Sequence, residues 1–179
     1  LHMFPQPYLD YLVQFHAERD YFECHEILEE YWKSAPPAER KAVWVGLIQI
    51  AVSLYHQRRG NHAGAVKMMA SAIQLVKKHQ QETQELGLDS EALLSLLEER
   101  LNAMKKGEAY SSMTLPISDK KLRQAYQQAC ALHKIPPHRE SNMEDSFLLN
   151  KHTLRDRSDV LAERQRQLEM REQRQKLAD

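Results

Sequence analysis

The sequence predicts an all-α fold, an antiparallel bundle of stacked helical hairpins with a charged helix at its C-terminal end. Three observations predict it. The 179 residues include only 5 glycines against 42% apolar and 28% charged residues, and the common types are those that helices accept most readily. Apolar residues recur at three- and four-residue spacing, and no stretch alternates as a half-buried strand does. Between the periodic stretches stand stop and start signals: Pro36-Pro37, Gly60-Asn61, Gly87 to Asp89, and Gly107. This length can bury a sizeable core in one domain with an appendage. The expected division is a core domain over 4–133, a linker over 134–150 and a helix over 151–179.

The first helix is expected from Gln6 to Glu18, with Tyr8, Leu12 and Phe15 on one face. The second is YFECHEILEEYW, residues 21–32, with Asp20 as N-cap and Glu23 three residues on completing a capping box. Pro36-Pro37 stops it, and Pro37 is suited to open a third helix that reaches Arg59. The centre of that helix, VWVGLIQIAVSLY, is apolar nearly all round and should be the most buried element. Gly60 closes it and Asn61 caps a fourth helix towards Glu85. A fifth is expected over Leu93 to Lys106, and a sixth, capped by Ser118, carries Leu122, Ala125, Tyr126 and Ala129.

Phe147-Leu148-Leu149 should pin the linker to the body. From Lys151 onward eight basic and six acidic residues make a polar helix, in which Leu154, Leu161 and Leu168 recur every seven residues. Its second seam position is mostly charged or Gln, so a solvated helix is favoured over a coiled coil, and homo-oligomerisation through it is the open alternative.

Lysine plus arginine equals aspartate plus glutamate at 25 each, so no overall field favours nucleic acid or an anionic membrane. No apolar run approaches the roughly 20 residues of a membrane span, and no basic-then-apolar leader is seen. A cytoplasmic location is expected. Leu1-His2 ahead of Met3 reads as an expression scar, and Cys24 and Cys130 as reduced structural thiols.

The second helix poses the chemical question. At about 100° per residue, Leu28, Tyr21, Trp32, His25, Glu29 and Phe22 share an arc of about 120°, with His25 and Glu29 one turn apart within it. Burying an unpaired carboxylate costs several kcal/mol, so something must satisfy this pair. A faint repeat sets Asp20, His25, Glu29 and Trp32 against Gly60, Ala65, Met69 and Ala72 with equal gaps, which would make His25, Glu29 and Trp32 inward-facing. The third helix offers Gln49 and His56 beside Val45 and Val52. If the two helices are antiparallel across the Pro-Pro turn, paired residue numbers sum to about 70, which brings Gln49 near His25 and leaves His56 about 15 Å further along.

Three readings compete. The cluster is a buried hydrogen-bonded network that fixes register. It is a metal site, with His25 and Glu29 as ligands at i, i+4 and Glu26 where a zinc protease keeps its base, although HEILE lacks the second histidine of HExxH. Or it is a metal-free acid–base site with His25 as base. Glu23 reads as a cap, and Arg58-Arg59 as charges meeting a helix dipole, with an anion site as the lesser reading. His16, His79, His133, His138 and His152 show no partner pattern.

His25-x3-Glu29-x2-Trp32, preceded by YFECHE and followed by GLIQIAVSLYHQRRGN, resembles a prokaryotic family catalogued as domain of unknown function 309. The likeness covers roughly Tyr8 to Val76 and nothing after about Lys106. It implies a compact all-helical domain with no assigned activity. On that likeness His25, Glu29 and Trp32 carry over, with Gln49, His56 and Asn61 from the second segment. Two functions stay open: a small hydrolase or metal-assisted enzyme built on His25, Glu29 and Gln49, with a divalent metal as the candidate cofactor, or a non-enzymatic helical module that binds a protein partner.

Overall fold

The computed structural model describes residues 4–154 and 158–178. The chain divides into two compact units, Leu1–Leu149 and Asn150–Asp179. The described residues are helical apart from connecting segments and a single antiparallel bridge, Leu88 to Ile117.

Helix α1, Gln6–Val13, starts after Pro5 and buries Tyr8, Tyr11, Leu12 and Val13. Its expected continuation to Glu18 widens into a π-helical turn, Gln14–Glu18, closed by Arg19 in the left-handed region at φ 54°. The Asp20 N–H donates to the Gln14 carbonyl at 2.9 Å across this wider loop, and Phe15, His16 and Ala17 all turn inward. Helix α2, Tyr21–Ser34, begins as expected, the Asp20 carboxylate accepting from the Glu23 N–H at 3.0 Å.

The Pro-Pro stop behaves differently from expectation. Pro37 opens only a 3₁₀ turn, Pro37–Glu39, and α3 runs Ala42–Arg58. Arg40 explains the delay: its guanidinium turns back to the Ala35 and Lys33 carbonyls at 3.1 and 3.2 Å, closing the end of α2 while Arg40 and Lys41 stay extended.

Gly60, at φ +85°, and the Asn61 side chain, accepting from the Gly64 N–H at 3.0 Å, start α4, His62–Lys78. The helix expected to reach Glu85 breaks at His79, whose carbonyl takes both the amide (3.0 Å) and the hydroxyl (2.8 Å) of Thr83, and α5 follows as Gln80–Glu85. Gly87 has φ +85°, and a Cβ there would meet Leu122 at 2.8 Å, so both its backbone and its neighbours require glycine. Asp89 caps α6, Ser90–Lys105.

Helix α7, Lys120–Leu132, is capped by Asp119, not by the expected Ser118, whose N–H and hydroxyl go to the Gly87 carbonyl at 2.9 and 3.3 Å. It buries Leu122, Tyr126, Ala129 and Cys130. A short α8, Ser146–Leu149, ends the first unit.

Helix α3 lies between α2 and α4; α1 packs on α2 and α7, and α6 packs on α4. The expectation that α3 is the most buried element fits its twelve buried residues, from Val43 to Arg58. In the second unit, α9 is Lys151–Leu154 and α10 is Ser158–Ala178. Leu168 is 52% exposed; the Leu154 and Leu161 side chains and Leu1-His2 lie outside the described residues. No described helix is long and apolar enough to cross a membrane.

Candidate functional site

Helix α2 turns Tyr21, Cys24 and Leu28 into the core. Cys24, not the His25–Glu29 pair, therefore sits at the centre of the buried stripe. His25, Glu29 and Trp32 follow that line one residue on, about 100° around the helix, and run along its flank. The His25 and Glu29 side chains are 29% and 33% exposed. The matching residues of the faint repeat, Ala65, Met69 and Ala72, are fully buried. The two helices share a spacing and not a facing, so the inward slots expected for His25 and Glu29 are corrected, while Trp32 packs partly against the core.

On the flank the polar groups form a ladder within a single helix. His25 Nε2 stands 2.6 Å from Glu29 Oε2, and Lys33 Nζ stands 2.6 Å from Glu29 Oε1. Glu26 Oε1 lies 3.7 Å from His25 Nδ1, beyond hydrogen-bond range. In the neutral ring the proton belongs on Nε2, facing Glu29, which leaves the Nδ1 lone pair on the side of Glu26. Partial burial pushes the Glu29 carboxyl up, but Lys33 and then His25 outweigh it and hold its pKa below the usual 4.5.

The partner side of α3 is set by two ring contacts. Phe22 meets Tyr55 at 6.0 Å and Tyr31 meets Trp44 at 5.3 Å, so residue numbers across the antiparallel pair sum to about 76, where about 70 was expected. The 3₁₀ turn and the extended Arg40–Lys41 link add the difference. Gln49 then comes level with Ile27, between His25 and Glu29, and its Oε1 is shut from solvent without a hydrogen-bond partner. His56 lies about 7.5 Å along the axis from the level of His25, half the expected distance. Rings fill that gap in sequence: His25 to Phe22 at 5.8 Å, Phe22 to Tyr55, and Tyr55 to His56 at 5.9 Å.

Val45, Gln49, Val52 and His56 are all half-buried, forming one strip beside the side of α3 that meets α2. On α2, Phe22, His25 and Glu29 are half-buried as well. His56 itself belongs to the α3–α4 corner, its Nδ1 3.4 Å from Asn61 Nδ2; burial and then Arg59 push its pKa down. Arg59 stands over Tyr55 at 5.8 Å, Asn61 acts as a cap, and Glu23 occupies the first turn of α2. Trp32 carries the Arg40 guanidinium over its ring at 5.0 Å, and its indole N–H is buried without an acceptor.

The ladder does not suit a metal ion. His25 Nε2 and both Glu29 oxygens are engaged with one another and with Lys33. Among the described residues no group of three or more His, Cys, Asp or Glu side chains could hold an ion.

Sequence reasoning missed a second polar cluster. His16, expected to lack partners, is fully buried: Nε2 accepts from the Leu115 N–H at 2.9 Å and Nδ1 faces the Leu12 carbonyl at 3.1 Å. Burial, then His138 and Arg19, push its pKa from 6.5 down to about 3. Arg19 and Arg58 are 2% and 6% exposed. Arg19 donates to the Arg139 and Met113 carbonyls; Arg58 donates to the Arg19 and Leu148 carbonyls and the Ser141 hydroxyl, and lies 4.6 Å over the Tyr21 ring. Most of these partners are backbone groups distant in sequence, which residue patterns do not reveal.

A family profile described as "Domain of unknown function (DUF309)" matches residues 8–68, a span that holds the ladder, Gln49, His56 and Asn61. The chain is also similar to the "Uncharacterized protein YpuF" of Bacillus subtilis (strain 168), 48% identical over 169 residues, covering 94% of this chain and 97% of that protein. The chain belongs to the DUF309 family. No solved structure gives a significant match. Membership extends the resemblance carried by His25, Glu29 and Trp32, and it brings no assigned activity with it.

Proposed function

We propose that these half-buried residues of α2 and α3 form an acid–base site of a small hydrolase. His25 takes the proton of an attacking water on Nδ1, Glu29 orients the ring and stabilises the imidazolium, and Gln49 stands level with the pair on α3. The supporting observation is the ladder itself: a 2.6 Å His25–Glu29 contact, made within one helix and a third exposed. An exposed i, i+4 pair adds only about 0.3–0.5 kcal/mol, and it cannot fix the register between helices when both partners lie on the same one. That small contribution supports a role for the pair besides stability. The two unpaired, buried cysteines accord with placing the protein in the cytoplasm.

Two measurements test this. His25→Gln should change unfolding free energy in urea by less than about 0.5 kcal/mol; a loss well above 1 kcal/mol would return the pair to the role of structural glue. Imidazole ¹⁵N shifts should report the Nε2–H tautomer near neutral pH, and the opposite tautomer would leave no base on Nδ1. A second reading is favoured by the half-buried Phe22, Val45 and Val52 on the same two helices: a non-enzymatic module docking a protein partner, with the ladder at its polar edge. Hydrolysis of generic chromogenic esters or phosphomonoesters that His25→Gln abolishes and Val52→Ser retains supports the enzyme reading.

A further inference from the structure

A separate cavity lies where the end of α2, the start of α3 and the end of α5 converge, and we propose that it binds a small organic ammonium ion. Its volume of about 370 Å³ falls in the range of small-molecule sites. Tyr31, Trp32 and Trp44 contribute aromatic wall. A ring carries negative charge on its face, so clustered aromatic walls favour a weakly hydrated cation over an anion. Trp44 is held by edge contacts to Tyr31 at 5.3 Å and Tyr8 at 5.5 Å, so this wall is fixed before a ligand arrives. Trp32 already supports the Arg40 cation on its ring.

The charges agree with the rings. Among the described residues Glu39, Glu82 and Glu85 line the cavity with Lys41, and the Arg40 guanidinium lies over the Trp32 ring beside it, so carboxylates still outnumber the cations. An apolar chamber with a net acidic lining selects ligands that are both greasy and positive, such as alkylated amines. The inference does not rest on the acid–base reading, since neither His25 nor Glu29 lines this cavity.

The chain has two tryptophans, and both line the cavity, so intrinsic fluorescence of the full-length protein reports on its occupancy. Choline should change that fluorescence saturably in the millimolar range, and its neutral isostere 3,3-dimethylbutan-1-ol should bind at least about 10-fold more weakly. Glu82→Gln with Glu85→Gln should weaken choline about 5-fold or more, and Glu39→Gln tests the same rim at a separate position. His25→Gln should leave the titration unchanged, which separates this site from the catalytic proposal. An equal response to both compounds would make the cavity merely apolar, and no saturable response to choline up to about 100 mM would remove the site.

Discussion

Glu29 accepts charge-assisted contacts on both oxygens, from His25 and Lys33, and its acidity follows from that. Its folded pKa lies below its ordinary value, so its contribution to stability is present above about pH 4.5 and is lost as pH falls through the folded value. In urea unfolding, the gap between the parent and Glu29→Gln should therefore narrow on going from pH 7 to pH 3.5. His16 has a larger effect. Unfolded, it binds a proton near pH 6.5; folded, it resists until about pH 3, so stability should decline between those values by up to about 1.4 kcal/mol per pH unit. His16→Leu should cost roughly 1–3 kcal/mol at pH 8, because the Leu115 N–H loses its acceptor, and should flatten that acid slope. The two residues differ in how readable they were. His25 and Glu29 announce each other through a one-turn spacing, whereas His16 answers a backbone amide 99 positions away.

Between elements, side-chain caps are legible except at α7, where Asp119 and not Ser118 caps, and connection lengths are not. Asp20, Asn61 and Asp89 stand where polar residues precede an apolar period, and each accepts from the amide three residues on. The α2–α3 link misled because Arg40 spends its guanidinium on the carbonyls behind it, an arrangement with no sequence signature, and six units of register followed from it. The segment before α8 shows the same limit. Phe147-Leu148-Leu149 is expected to anchor it; Phe147 is 50% exposed, while Leu148 and Leu149 are half-buried and the Leu148 carbonyl accepts from Arg58 at 3.4 Å. Arg139 binds the His16 carbonyl through its N–H and the Ala17 carbonyl through Nε, both at 2.9 Å, and Ser141 meets Tyr110 at 2.8 Å and Arg58 at 3.2 Å. Arg58→Leu should destabilise the protein by about 2–4 kcal/mol, since it strips donors from buried acceptors. Hydrogen exchange should then show the amides of Arg139 and Ser141 losing protection before those of α3.

At the scale of the molecule, glycine scarcity and helical periodicity sufficed for the all-α class, because each helix must bury one face whatever its neighbours are. The same patterns say nothing of which flank stays open, and that is where the candidate chemistry lies. The first unit has its own core, from Tyr8 to Cys130.

The buried guanidinium groups of Arg19 and Arg58 carry one more consequence. Among the described residues their counter-charges are carbonyl dipoles, a hydroxyl and ring faces, with no carboxylate in an ion pair. Dissolved electrolyte shields charges that meet across water, and it reaches such an interior solvation shell poorly. Concentrated brine should therefore loosen the exposed Glu29–Lys33 contact while the joint around these two arginines holds.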